Sequence, residues 1–140
     1  MNWKNEAMEK LRRYDAMRNA VKNIPLELER LEEEASGIWE AKAKGDSEKL
    51  DGQMLDNQIQ RRELHKALDM ANGWLHSVEG ALSTLNPEEK LVLHRFYLFP
   101  QRGNVDRLCQ ELGVEQSSVY RKRDKALYKF TLALYGTVET

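Results

Sequence analysis

The chain predicts an all-α protein: a long antiparallel, coiled-coil-like helical hairpin, then a small bundle in which two short helices meet at a sharp turn. Three observations lead to that expectation. Apolar residues recur at alternating spacings of three and four along two extended segments. Charged residues make up 32% of the 140 positions and apolar ones 41%, with only three prolines, which suits helices that carry large solvated faces. The last third of the chain holds two short helical patterns separated by Gly113.

The first long helix is read from Met17, Val21, Ile24, Leu28, Leu31, Ala35 and Ile38. The stripe extends backward through Tyr14, Lys10, Ala7 and Trp3, with Lys10 the one member out of character. Pro25 lies inside it. A proline in a helix interior costs about 3 kcal/mol and bends the axis, and Asn23 could cap a fresh helix. The apolar phase survives across Pro25, so the expectation is a kink or tight restart with nearly collinear pieces. Residues 43–47 (Ala43, Lys44, Gly45, Asp46, Ser47) form a polar, helix-breaking connector. The second helix carries Leu64, Leu68, Ala71, Leu75, Val78, Leu82 and Leu85 on the same spacing, preceded by a more polar stretch with Leu50, Met54, Asn57 and Arg61. Both stripes are heptad seams that call for a partner helix, and a short loop makes that partner antiparallel. Trp3, Trp39 and Trp74 flank the seams and are read as core, with a contact surface for a second subunit or another protein as the alternative. A two-helix hairpin buries little alone, so it either packs against the C-terminal module or pairs with another chain, and residues 1–84 are expected to serve as an arm for homodimerisation.

Residues 85–140 read as a second domain. Asn86-Pro87-Glu88-Glu89 is a helix start, with a polar cap, proline in the first turn and two acids beside it. Leu91, Val92, Arg95, Phe96 and Leu98 would follow as a supporting helix, and Phe99–Asn104 as a turn ending in an Asn104 cap. Leu108 and Leu112 then face inward, Gly113 supplies the left-handed conformation a sharp turn needs, and Val114 and Val119 tie the next helix back. Cys109 fits the narrow space where two such helices cross. This is a helix-turn-helix, and its second helix would present Gln116, Ser117, Ser118, Tyr120 and Arg121 outward, where they can donate to or accept from base edges. Ala126, Leu127, Phe130 and Leu134 continue its inward stripe. Glu115 stands at the cap position as a weak substitute for serine or threonine. Lys122 takes an inward position and must lay its methylene stem on the core.

Charge is unevenly spread. Residues 1–85 hold 13 Lys and Arg against 16 Asp and Glu, a net of −3, whereas residues 86–140 hold 9 against 7, a net of +2. Within 116–130 five cations (Arg121, Lys122, Arg123, Lys125, Lys129) face the single Asp124. Such a local concentration is the electrostatic footprint of a nucleic-acid contact. Arg102, Arg123 and Lys125 are the candidates for phosphate.

Leu85-Asn86-Pro87-Glu88-Glu89, Leu112-Gly113-Val114, Val119, Lys125-Ala126-Leu127 and Lys129-Phe130 occur in the order found in a known promoter-reading module. Over roughly residues 85–135 the pattern resembles region four of bacterial sigma factors. Placed behind a charged helical segment, it is similar to the phage-encoded transcriptional regulators of the ArpU and RinA type. The resemblance implies a sequence-specific regulator that binds double-stranded DNA, with RNA polymerase as a further candidate partner, working in the cytoplasm of a bacterial host. It also implies that bases are read by the first exposed residues of the second helix: Gln116, Ser117, Ser118, Tyr120 and Arg121. A phage small terminase subunit, or another DNA-packaging protein, is the alternative, since it too joins such a motif to an oligomerising helical segment.

Other classes find little here. There is no glycine-rich phosphate loop and no nucleophile elbow, and the acids mingle with Lys and Arg as solvated helix faces, so no enzyme and no cofactor are expected. His65, His76 and His94 have no Cys or His at metal-ligand spacing. No apolar run approaches bilayer length, and a lone cysteine suits a reducing compartment.

Overall fold

The computed structural model describes residues 2–45 and 48–139, and the fold they form is all-α. Of the expected connector, Asp46 and Ser47 lie outside the described residues. Among the described residues the six α-helices are α1 (Trp3–Arg12), α2 (Tyr14–Lys44), α3 (Glu48–Leu82), α4 (Pro87–Leu93), α5 (Asn104–Leu112) and α6 (Gln116–Tyr135), with a π-helical turn at His94–Leu98 after α4. They group into two compact units: one comprises the chain up to Met17 together with everything from Trp74 onward, and the other is Arg18–Gly73.

In Arg18–Gly73 the heptad seams are the less exposed faces of α2 and α3. Leu28, Leu31 and Ile38 are buried on α2, and Asn57 and Ala71 on α3. Lys42 pairs with Asp51 at 2.5 Å, and Asn57 reaches Leu31 and Glu34. Partners rise on one helix as they fall on the other, so the pair is antiparallel. Asn57 is the buried polar residue of this seam. Its Nδ2 donates to the Leu31 carbonyl at 2.8 Å, and its Oδ1 accepts from Arg61 Nε at 2.7 Å. A satisfied polar group inside a seam fixes register, because sliding by one turn would strand it without partners. Pro25 does not restart the helix: α2 is continuous through it, and Asn23 caps nothing. Trp39 departs from the expected core role, being 68% exposed.

The other unit has a deep interior. Ala7 and Leu11 of α1, Val78 and Ala81 of α3, Leu93 of α4, Tyr97 and Leu98 of the π turn, and Ala126, Leu127 and Phe130 of α6 form one apolar cluster. Trp3 packs on Tyr135 with ring centroids 4.8 Å apart, and Trp74 donates its indole N–H to the Lys10 carbonyl at 3.4 Å. Tyr14 donates its hydroxyl to Glu79 at 3.1 Å. Helix α1 is thus an integral wall beside α6. The inward residue of its last turn is Leu11 rather than Lys10, whose ammonium instead lies over the Trp74 and Tyr135 rings.

The start of α4 obeys its sequence closely. Asn86 Oδ1 accepts from the Glu89 amide at 2.8 Å, and the Glu89 carboxylate accepts from the Asn86 amide at 3.0 Å, a reciprocal capping box with Pro87 in the first turn. The end of α4 departs from plain helix. The Phe99 amide donates to the His94 carbonyl five residues back, so the Arg95 carbonyl loses the partner an α-helix would give it. Asn104 supplies the replacement: its Nδ2 donates to that carbonyl at 2.6 Å from a buried position. Asn104 is therefore a strut and not the helix cap expected of it. Gly103, at φ +79°, occupies the cap position of α5 without a side-chain bond. The extra residue in the turn rotates Tyr97 and Leu98 into the interior and leaves Arg95 half-buried, bridging to Glu111 of α5 at 3.0 Å.

Candidate nucleic-acid interface

Helices α5 and α6 are held at their junction by backbone conformation. Gly113 takes φ +66° and ψ +36°, and the amides of Gly113 and Val114 both turn back to the Cys109 carbonyl, Val114 at 3.2 Å. A Cβ on Gly113 would touch nothing within 4 Å, so the glycine is required by its torsion angles rather than by space. Val92 of α4, Leu108 of α5 and Val119 of α6 are fully buried against one another, with Cys109, Leu112 and Val114 packed around them. That three-helix contact sets the rotation of α6. With Val119 inward, its neighbours on the other side of the helix must face out.

They do. Gln116, Ser117, Tyr120 and Arg121 are exposed and Ser118 is half-buried, so the five residues proposed to approach bases share the leading turns of α6. Glu115 caps the helix without a side-chain bond. Arg121 Nη2 donates to Ser118 Oγ at 3.1 Å. Tyr120 is 37% exposed and lies 6.1 Å, centroid to centroid, from Phe96. Beside them opens a groove of about 310 Å³, bounded by Gln116 and Tyr120 on one side and by Pro100, Gln101 and Gly103 on the other. Arg102, exposed, belongs to that bounding loop.

The five cations of residues 116–130 divide into two groups. Lys122 Nζ bonds Glu88 at 2.6 Å and Lys129 Nζ bonds Glu89 at 2.7 Å, so both tie α6 to the first turn of α4. The expected inward stem of Lys122 is present as a half-buried side chain whose charge is answered by Glu88. Burial would raise the carboxyl pKa of Glu89, but the Lys129 bond, the Asn86 amide and the charges of Lys129 and Lys125 together pull it below the usual value. Of the other three, Arg121 and Lys125 are exposed and Arg123 is half-buried. Arg123 is held most firmly: its guanidinium lies 5.3 Å from the Phe96 ring centroid and 5.1 Å from that of Tyr120, with Asp124 at 3.0 Å. Lys125, one turn beyond Arg121, is exposed close to the Glu88–Glu89 edge.

Arg123's aromatic clamp has only a partial signal in the sequence, since Tyr120 and Arg123 are three apart on one helix but Phe96 comes from the π turn. Among the described residues, no three His, Cys, Asp or Glu side chains gather as a metal site would need, and no helix is long and apolar enough to cross a membrane. Comparisons with family models, with curated proteins and with solved structures gave no match.

Proposed function

We propose that the chain is a sequence-specific transcriptional regulator that binds double-stranded DNA, phage-derived and acting in the bacterial cytoplasm as a homodimer. One observation carries this reading. A 20-residue helix turns its leading polar residues, Gln116, Ser117, Tyr120 and Arg121, to the outside, while Val119 and the Gly113 turn fix its angle. In the proposed mechanism that leading turn enters a major groove. The Gln116 amide suits the paired donor and acceptor of adenine, and the Arg121 fork suits the two acceptors of guanine. The Ser118–Arg121 bond is exposed and readily exchanged for a base. Arg102, Arg123 and Lys125 take phosphates and set register without reading sequence. RNA polymerase is the further partner in this reading. The hairpin supports the dimer, because Leu26, Trp39, Leu55, Ile59 and Met70 leave large apolar groups exposed on Arg18–Gly73.

Selection from a random duplex pool at low salt tests both parts. The expected outcome is enrichment of a short motif repeated with two-fold symmetry. No enrichment removes the DNA reading, and an enriched motif without symmetry removes the dimer.

A further inference from the structure

Helix α1 stands more than a hundred residues from the recognition helix in sequence, yet it forms one wall of a groove of about 470 Å³ whose other wall is α6 and the π turn. Three cations line it: Lys4 and Arg12 from α1, and Arg123 from α6. Arg12 lies over the Tyr97 ring at 5.8 Å, and the charges of Arg12 and Arg123 both act on the Tyr97 phenol. Among the described residues lining this groove the acid is Asp124, and Glu9 answers Arg12 from within α1. Glu9 meets Arg12 at 3.0 Å in a pair whose two side chains are 56% and 53% exposed, and Asp124, 64% exposed, meets the half-buried Arg123 (30%) at 3.0 Å. Surface pairs with solvent-exposed carboxylates contribute little and are screened by salt, so a phosphate oxygen can displace Glu9 from Arg12, or the exposed Asp124 from Arg123 while the ring contacts keep the guanidinium in place.

The groove is also continuous with the recognition face. Arg123 touches Tyr120, one of the outward residues of the leading turns, and lines the groove as well. We propose that α1 is a second backbone clamp. Lys4 and Arg12, together with Arg123, bind the phosphates that flank the bases read by α6, so the footprint on a duplex includes the N-terminal helix. This rests on the DNA-binding reading and adds to it a surface that the helix-turn-helix alone does not contain.

Counterion release gives the test a number. Each phosphate neutralised contributes about −0.9 to the slope of log K against log salt, so Arg102, Arg123 and Lys125 alone give about −2.7 per module, and with Lys4 and Arg12 about −4.5. Fluorescence anisotropy with the selected duplex and a scrambled duplex, over a range of NaCl, reads this slope for the full chain and for the Lys4→Ala, Arg12→Ala double variant. Both side chains are exposed, and a circular-dichroism melt like that of the parent checks that the fold is kept. Should that melt shift, Lys4→Gln and Arg12→Gln singles, which keep more of the side-chain stem, repeat the measurement. The expected result is a slope weaker by about 1.8 per module, with an unchanged ratio of selected to scrambled affinity. An unchanged slope, beside a parent that still prefers the selected duplex, overturns the clamp and leaves the DNA reading standing. A parent with no preference for any duplex removes both. Inorganic phosphate that displaces the duplex more than chloride does at matched ionic strength, and only when Lys4 and Arg12 are present, would assign the groove to a small anion and also overturn the clamp.

Discussion

In the unit that carries α4–α6, Phe130, Leu93, Leu108, Val92 and Val119 reach zero exposure, and Asn104 and Glu89 are the buried polar side chains that brace helix ends. In Arg18–Gly73 the buried side chains among the described residues are Leu28, Leu31, Ile38, Ala71 and Asn57. Outside that thin seam the hairpin leaves Trp39 at 68% and Met70 at 76% exposure. Both regions are all helix, but one is held by three-dimensional packing and the other by a single row of contacts with a polar pin. A packed core can hold α6 at a fixed angle, since its side chains interdigitate and resist displacement. A thin seam leaves apolar surface for another chain to cover.

The largest effect should come from emptying the packed core. Phe130→Ala removes a fully buried ring from the cluster that joins α1, α3 and α6, and should cost about 3–5 kcal/mol. Denaturant unfolding measures the loss, and hydrogen exchange should show α1 amides losing protection along with those of α6. If α1 keeps its protection, it is not an integral wall of that core. A smaller effect is expected in the hairpin. Asn57→Ala strips Arg61 Nε and the Leu31 carbonyl of their partner, at about 1–3 kcal/mol. Asn57→Leu should restore or raise stability while loosening register, which disulfide trapping between Cys-substituted α2 and α3 would report. If both variants trap a single register, Asn57 is not the pin.

The smallest effect concerns acid. The Glu89 carboxyl has a folded pKa below its unfolded value, so its contribution is present above the unfolded pKa and is lost as pH falls through the folded one. Thermal melts from pH 7 down through the carboxylate range should fall less steeply for Glu89→Gln than for the parent. Equal slopes would mean that the Lys129 and Asn86 bonds do not stabilise the ionised form.

Much of this is legible in the residues. The capping box at Asn86, the left-handed turn at Gly113 and the burial of Val119 arise from local chemistry, so their spacing is enough. The seams are legible too, because Leu28, Leu31, Ile38 and Ala71 keep a three-four rhythm. That rhythm does not reveal a helix whose partner is distant. Trp3 and Ala7 fit the hairpin stripe as well as they fit the wall against α6, and only Leu11, off that stripe, marks the difference. Asn104 reads as a cap in the sequence because the π turn that frees the Arg95 carbonyl has no periodic signature. Pro25 allows either a kink or a restart of α2, and the continuous helix removes the restart. Within the candidate interface, the outward set is readable from Val119 alone. The division of the cations is not, since it depends on Glu88 and Glu89 reaching across from α4.

The claim that the leading turn of α6 reads bases is tested most directly by Arg121→Ala, through the ratio of affinities for the selected and a scrambled duplex. Loss of a bidentate guanine contact should cut that discrimination by about 1–3 kcal/mol and leave binding to the scrambled duplex nearly unchanged. Equal weakening on both duplexes would make Arg121 a backbone contact and contradict the account.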